Sequence, residues 1–417
     1  MESINHPDHR ELGRDLEIFA SAEQVGAGLP LWLPNGAAIV AELERYITDV
    51  ERRAGYQHVR TPVIAKRELY EVSGHWQYFV DDIFPAFELG SEELVLRPVL
   101  CPHHALVFGS RLRSYRELPL RLAEFGAMYR RERSGVLAGL TRVRAITLND
   151  GHLFCAPEHV VDEVLGALQL IDDAYDVLGI KADHVRLSLR DDSPKFAGDD
   201  ASWRQGEAWL REALQRRGRG FVVALGEAAM YGPKIDIQVL DAAGRDFTLS
   251  TVQVDQWQPM RFGLEYVSAD GARRRPVMVH RSVLSSMERM VAYLLEAHRG
   301  ALPLWLSPVQ VAVLPVGAEQ RDAARRVLEA SVAAGLRAEV DERDESLGAR
   351  VRVAQQRKIP YVAVVGPREA ADGTVALRAR NGERLAPRPT DEAIHAIASA
   401  VDARRVEPSS GGTLRGP

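Results

Sequence analysis

The chain has 417 residues, 46% hydrophobic and 27% charged, with a formal net charge of -5. That is the composition of a soluble globular protein with room for two or more cores, and it excludes a membrane-spanning class, because no apolar run approaches the roughly twenty residues a span needs. Two cysteines, Cys101 and Cys155, exclude a disulfide framework and fit a reducing cytosol, while the mildly acidic balance leaves any RNA contact to local basic patches. Residues 1–8 are mostly polar and carry no apolar signal-peptide core, so a cytoplasmic protein is expected.

Residues 8–34 alternate polar and apolar side chains. After Asn35-Gly36, the stripe of Ile39, Leu43, Ile47 and Val50 predicts a helix that Gly55 stops. Residues 55–62 read as a helix cap and an edge strand ending at Pro62. A strand is expected over 94–98, running into Cys101-Pro102-His103-His104. The stretch 130–154 reads as strand, loop and second strand. Arg130 stands beside Glu132, and Arg142 and Arg144 are two residues apart, which places them on one face of a strand. Guanidiniums on a rigid surface suit a polyphosphate; a charge-laced hairpin on a solvated face is the alternative. An amphipathic helix follows, with Pro157 near its start, Val161, Val164, Leu168, Ile171 and Tyr175 on its apolar face, and Gly179 at its end. Strands at 185–190, 221–225, 235–240 and 247–254, with helices at 203–217 and 285–299, complete an α+β unit: an antiparallel sheet flanked by helices.

A linker is expected over 300–308, and beyond it the grammar changes. Strands at 309–314, 336–341, 361–365 and 375–380 alternate with helices at 319–334, 347–358 and 390–400, which predicts a small, mostly parallel, three-layered α/β domain. The tail from Arg404 is expected to be disordered.

Arg130-x-Glu132 with a loop closing on Arg142-Val143-Arg144 resembles motif 2 of the class II aminoacyl-tRNA synthetases. The flanking segments 115–126 and 139–144 are similar to the threonyl-tRNA synthetase family in particular. Residues 55–62 are similar to motif 1, which builds that superfamily's dimer interface, and Met287-Glu288-Arg289 resembles motif 3. The likeness runs from about Asp8 to about Ala400. It implies a class II catalytic domain over 1–302, an anticodon-binding domain over 303–403 and a tail over 404–417. It also implies a homodimer that activates threonine with ATP and Mg2+ and passes it to tRNA.

By the same resemblance Arg130 holds the α-phosphate, Glu132 accepts the adenine amino group, Arg142 clamps the γ-phosphate, and Arg289 reaches across the adenine. Arg130 and Arg289 are thus the expected catalytic pair. Lys234 and Gln253 are implied as polar ATP contacts, and Tyr231 and Asp150 as parts of the amino acid pocket. Cys101, His152 and His280 are implied as ligands of a zinc ion with an open position. No sequence-local zinc spacing is present, and a lone cysteine or histidine is ordinarily a core residue. Cys155, His104 and, below them, His103 are the alternative ligands. Residues 343–345, Glu369, Arg378 and Arg380 are similar in position to anticodon readers.

Several positions depart from the family pattern: Leu100, His103, Ile146, Leu148, Asn149, Gly151, Ser285, Gln256 and Trp257. They gather around the amino acid pocket and the adenine floor. The chain begins with the entry to the catalytic domain, so the family's ubiquitin-like and editing domains are expected to be missing and a separate editing protein is expected in trans. The alternatives are a duplicated copy devoted to inhibitor resistance or to a nonstandard amino acid, and a non-catalytic tRNA-binding regulatory paralog.

Overall fold

Residues 8–404 are described in a computed structural model of the chain. The Asp8 carboxylate caps helix α1 (His9–Asp15) by accepting the Arg10 amide. Helix α2 (Pro34–Arg53) buries Ile39, Leu43 and Ile47 along one stripe, the spacing that marked it in the sequence. It starts earlier than expected, with Asn35 and Gly36 inside its first turn. A Cβ at Gly36 would lie 2.1 Å from the Ile18 carbonyl oxygen, so only glycine lets this turn approach the preceding chain. Gly55, at φ 82°, ends the segment and leads into β1 (Gln57–His58).

Helix α3 (Cys101–Gly109) begins at the cysteine itself. Strands β2 (Leu120–Tyr129) and β3 (Ala145–Cys155) form a hairpin, paired from Leu120 opposite Phe154 to Tyr129 opposite Ala145. Its first strand ends before Arg130, so of the stretch 130–154 only the second expected strand is one, and 130–144 is the connecting loop. Arg142 and Arg144, however, lie before β3 in the connecting loop and do not share a strand face. A turn over residues 138–141, closed by the Thr141 amide on the Ala138 carbonyl oxygen at 2.9 Å, breaks the alternation there. Arg144 instead folds back onto the Glu132 and Ala27 carbonyl oxygens, at 2.9 and 3.1 Å.

Helix α4 (Val160–Leu178) lays its apolar face on the sheet and stops at Gly179, φ 67°. Strand β4 (His184–Leu189), helix α5 (Asp200–Arg217) and strands β5 (Val222–Leu225), β6 (Lys234–Leu240) and β7 (Asp246–Asp255) follow. Strand β8 (Val277–Ser286) and helix α6 (Met287–Ala297) complete the unit. Sequence patterning did not mark β8, because nine of its ten residues are buried and a strand covered on both faces shows no alternation. The eight strands run β5-β4-β6-β7-β8-β3-β2-β1. The two outermost pairs are parallel and the five between them antiparallel.

At the end of β8 the pairing with β3 slips between Ser282 and Ser286, and Ser285 takes φ 57°. A side chain in this left-handed region costs roughly 1–2 kcal/mol relative to glycine. Ser285 thus keeps a glycine conformation at the position where the motif would carry glycine.

The second unit has the order β10-β9-β11-β12-β13, with β9 (Val311–Pro315), β10 (Ala338–Val340), β11 (Tyr361–Val365), β12 (Thr374–Ala379) and β13 (Arg388–Pro389). Two pairings are parallel and two antiparallel, so that only β12 runs against the other four strands. The sheet is covered by α7 (Arg321–Ala333), α8 (Leu347–Gln356), the unanticipated short α9 (Pro367–Asp372) and α10 (Thr390–Asp402). Arg337 ties this unit to α2 through Glu42, at 2.7 Å. Of the expected tail only Arg404 falls among the described residues, stacked 5.0 Å over Tyr46. No helix among the described residues is long and apolar enough to cross a membrane.

Candidate active site

The hairpin β2–β3, the end of β8 and the first turn of α6 enclose a cleft of about 320 Å³ whose walls include Arg130, Glu132, Arg142, Ile146 and Arg289. Arg130 follows β2 directly, its guanidinium 5.4 Å from the centre of the Phe79 ring and its Nε donating to the Pro98 carbonyl oxygen at 3.3 Å. Arg289 sits in the first turn of α6, whose N-cap Ser286 accepts the Arg289 amide. Its guanidinium lies 5.0 Å over Phe247 and donates to the Thr141 and Thr248 carbonyl oxygens. Burial lowers the proton affinity of both arginines, and Arg289 is lowered further by the nearby cations Arg130 and Arg142. Three guanidiniums that converge in a partly dry cleft favour a polyanion between them. Arg142 donates to the Glu132 carboxylate at 2.9 Å.

Glu288 is not part of a solvated helix face. It is 3% exposed, and its two oxygens accept the Thr147 amide at 3.2 and 3.1 Å, tying α6 to the cleft floor on β3. Burial raises its carboxyl to about 7. Between about pH 4.5 and 7 the native state therefore keeps a proton that the unfolded chain releases, so stability falls as pH rises through that window. The loss should be about 3 kcal/mol. Denaturant melts of Glu288→Gln beside the parent at pH 5 and pH 8 check this: the difference between the two proteins should change by that amount. An unchanged difference would refute it.

A second group lies deeper. Cys101, His152 and His280, all buried, bring their ligand atoms within 4.8 Å of one another. His152 and His280 are opposite each other across β3 and β8, with ring centres 4.7 Å apart, and Cys101 arrives on the first turn of α3. Burial pushes the Cys101 thiol up and the His152 imidazole down. One thiol and two imidazoles form a donor set that fits zinc.

His104, one turn along α3, stands behind the group. Its Nδ1 is 2.8 Å from His152 Nδ1, and its Nε2 is 3.2 Å from the buried Glu124 carboxylate. Glu124 in turn is held by Arg97 and Thr61. Glu124 accepts the hydrogen bond from His104 Nε2–H, so His104 Nδ1 accepts from His152 Nδ1–H and His152 Nε2 keeps its lone pair free for a metal. Asp255 does the same for His280 by accepting from Nε2 at 3.0 Å. His104 thus supports the group, and neither it nor Cys155 belongs to it. His103 is buried, with neither ring nitrogen hydrogen-bonded.

Tyr231 stacks on His280 at 4.5 Å and donates to Gln253 at 2.7 Å. The Asp150 carboxylate is 3.8 Å from His152 Nε2. Gln253 therefore stands on the side of the cysteine–histidine group, and neither it nor Lys234 is among the cleft walls. Lys234 pairs with the buried Asp236 at 3.0 Å. One neighbour went unnoticed in the sequence: His75 is buried with Nε2 3.7 Å from Cys101 Sγ, and burial drives it down to about 3. No spacing or periodicity in its segment points to it.

The departures have local partners. Leu100 packs on Gly126, where a Cβ would lie 2.3 Å from a Leu100 methyl. Gly151 lies against Arg281, where a Cβ would meet the guanidinium carbon at 2.5 Å. Arg281 pairs with buried Glu51, and Asn149 donates to that carboxylate at 2.9 Å. In the second unit Arg343 pairs with Asp341, and Glu369 accepts the Gly366 amide of its own helix cap. Arg380 braces the linker by donating to the Leu302 carbonyl oxygen at 2.8 Å.

Comparison with known proteins agrees with this geometry. Residues 84–298 match the family model for the tRNA synthetase class II core domain (G, H, P, S and T), and residues 310–400 match that for the anticodon binding domain. The chain is 51% identical over 387 residues to a threonine–tRNA ligase of Halalkalibacterium halodurans, covering 92% of this chain and 60% of that protein. It is 50% identical to threonine–tRNA ligase 1 of Bacillus subtilis, covering 91% and 59%. The chain thus spans about three-fifths of the length of the curated relatives it matches. The solved RNA binding domain of threonyl-tRNA synthetase from Cryptosporidium parvum superposes with a TM-score of 0.90 at 36% identity, covering 94% of this chain and 98% of that one. With its core matched over 84–298, its second unit over 310–400, and a solved threonyl-tRNA synthetase structure covered to 98% at 36% identity, the chain belongs to the threonyl-tRNA synthetase family of class II aminoacyl-tRNA synthetases.

Proposed function

We propose that the chain is a threonine–tRNA ligase, with a catalytic unit up to residue 302 and an anticodon-reading unit over 303–403. The observation that carries this reading is the convergence of Arg130, Arg142 and Arg289 with Glu132 on one cleft, beside the buried cysteine–histidine group. Adenylate formation asks for a bent ATP whose α-phosphate meets a carboxylate while pyrophosphate leaves. Positioning and charge neutralisation are therefore the main work. Arg130, the deepest clamp, holds the α-phosphate. Arg142 exchanges Glu132 for the γ-phosphate, which frees the Glu132 carboxylate to accept the adenine amino group. Arg289 closes the opposite wall, backed by Phe247. The Asp82 carboxylate at the cleft offers a hard oxygen ligand that suits the Mg2+ of the nucleotide. Lys234 and Gln253 remain polar contacts of the second rank, reached only if they leave Asp236 and Tyr231.

Cys101, His152 and His280 would hold zinc, through His152 Nε2 and His280 Nδ1 on the tautomers set by His104 and Asp255. The ion would supply a Lewis-acid position for the amino group and hydroxyl of threonine. Asp150 and Tyr231 bound the same pocket from the other sides. A homodimer is supported by the exposed apolar side chain Ile64, two residues past the motif 1 segment, and the cytoplasm is the expected place of work.

An ATP–pyrophosphate exchange panel over amino acids tests the reading. Threonine should exchange fastest. Serine, which lacks one methyl, should follow about 10–200-fold lower, and valine, which lacks the hydroxyl, should fall about 10⁴-fold or more below threonine. Seryl-tRNA made at this pocket then calls for a separate hydrolytic step to clear it. Exchange with valine equal to threonine would overturn the hydroxyl recognition, and exchange with no amino acid would overturn the ligase.

A further inference from the structure

We infer that His9 is a positioning residue that holds the returning limb of the arginine loop against α6 and so sets where Arg142 stands; this rests on the ligase reading above. The ring of His9, 5% exposed, spans two elements far apart in the chain. Its Nδ1 is 2.7 Å from Glu296 Oε1 on α6, and its Nε2 accepts the Leu140 amide at 3.1 Å. The His9 amide donates to the same Glu296 oxygen at 3.2 Å. A backbone N–H can only donate, so His9 Nε2 carries the lone pair and Nδ1 the proton, the tautomer that the Glu296 carboxylate favours. Burial would raise the Glu296 carboxyl, but the hydrogen bonds from His9 hold it below its ordinary value.

The contact falls at the turn that redirects the chain into Arg142. Gly139, at φ 51°, faces the ring so closely that a Cβ there would lie 2.2 Å from His9 Nε2. Two residues past the supported amide is Arg142, and between them the Thr141 carbonyl oxygen accepts from Arg289 Nε at 3.4 Å. The same three-residue limb thus touches both clamps. Thr141 lines the arginine cleft on one side and, on the other, a separate cavity of about 430 Å³ bounded by His9, Phe247, Tyr293 and Glu296. The limb is a thin partition with space on both faces. The Leu140 side chain is buried in the core and fixes the depth of the limb; the His9 bond fixes the direction of its peptide planes.

The test compares His9→Phe, which keeps the ring and removes both polar atoms, with His9→Gln, which keeps one acceptor and one donor. His9→Phe should raise the KM for ATP roughly tenfold, the effect of one buried hydrogen bond lost from a charged assembly. kcat at saturating ATP should change far less, and His9→Gln should recover part of the loss. Hydrogen exchange at the Leu140 amide should quicken in His9→Phe and, more mildly, in Glu296→Gln. That readout needs no catalysis, so it stands apart from the ligase reading: absent pyrophosphate exchange in the parent overturns the ligase, whereas unchanged protection of Leu140 overturns the role of His9. A lowered Tm with an unchanged KM for ATP would also overturn it, leaving His9 a structural residue. Should His9→Phe not fold, His9→Gln and Glu296→Gln carry the same two readouts.

Discussion

Arg289→Ala and Arg130→Ala should each remove roughly 3–5 kcal/mol of transition-state stabilisation from threonine-dependent ATP–pyrophosphate exchange, a slowing of about 10²–10⁴-fold. Each side chain is withdrawn from water and aimed at a cleft where charge moves as pyrophosphate departs, so its loss is felt most in the transition state. The two differ in what they leave behind. Arg130 is held by the Pro98 carbonyl oxygen and the Phe79 ring, and its removal opens the deepest part of the cleft. Arg289 leans on Phe247 and two carbonyl oxygens, and its removal uncovers the outer wall. Stability separates catalysis from folding here. Arg289 is held low by burial and by the nearby cations Arg130 and Arg142, and a like charge close by disfavours the charged form, so removing one guanidinium should leave Tm nearly unchanged. A variant that loses less than about tenfold in exchange rate would remove that arginine from the clamp.

Cys101→Ala should take the protein from about one zinc per chain to almost none and abolish threonine activation, while the fold persists. Metal content measured on the purified chain is the direct readout. The competing reading has support: the Cys101 side chain also packs with Phe108, Leu120, Phe154 and Met278 in a small apolar cluster. Were it only a core residue, the alanine variant would lose about 1 kcal/mol of stability and its metal content would not differ from the parent. The histidines distinguish the readings further. His104→Ala leaves all three ligands in place but frees the His152 tautomer, so it should weaken zinc binding about 10–100-fold. Equal zinc content in parent and Cys101→Ala, at any free zinc concentration, would remove the metal from this site.

Periodicity revealed the elements whose two sides meet different surroundings. The stripes of α2 and α4 were readable because one face of each touches the core and the other touches water. The succession of short apolar runs and helical patterns beyond residue 308 was readable enough to separate the second unit from the first. Where both sides are buried, that contrast vanishes, which is why β8 had no pattern to read. Arg142 and Arg144 show the reverse error: their spacing was that of a strand, but a turn opened by Gly139 comes first, and local spacing carries no information about a turn's effect on direction.

For the site, residue type and spacing pointed to a polyphosphate surface at Arg130, Arg142 and Arg144 but left a solvated hairpin as the alternative, and the clamp roles of Arg130, Glu132, Arg142 and Arg289 came from the family resemblance. Cys101, His152 and His280 were a different matter. They were named through family resemblance alone, and their meeting depends on β3 and β8 being neighbours with His152 opposite His280. His75 and His9 were beyond the reach of the sequence in the same way, and His104 was named there only as an alternative ligand. Coordination and hydrogen bonding constrain distance through space and impose nothing on separation along the chain. The amino acids available for chemistry were therefore decided by sequence, while strand register and helix docking, set by burial over the whole sheet, decided which of them act together.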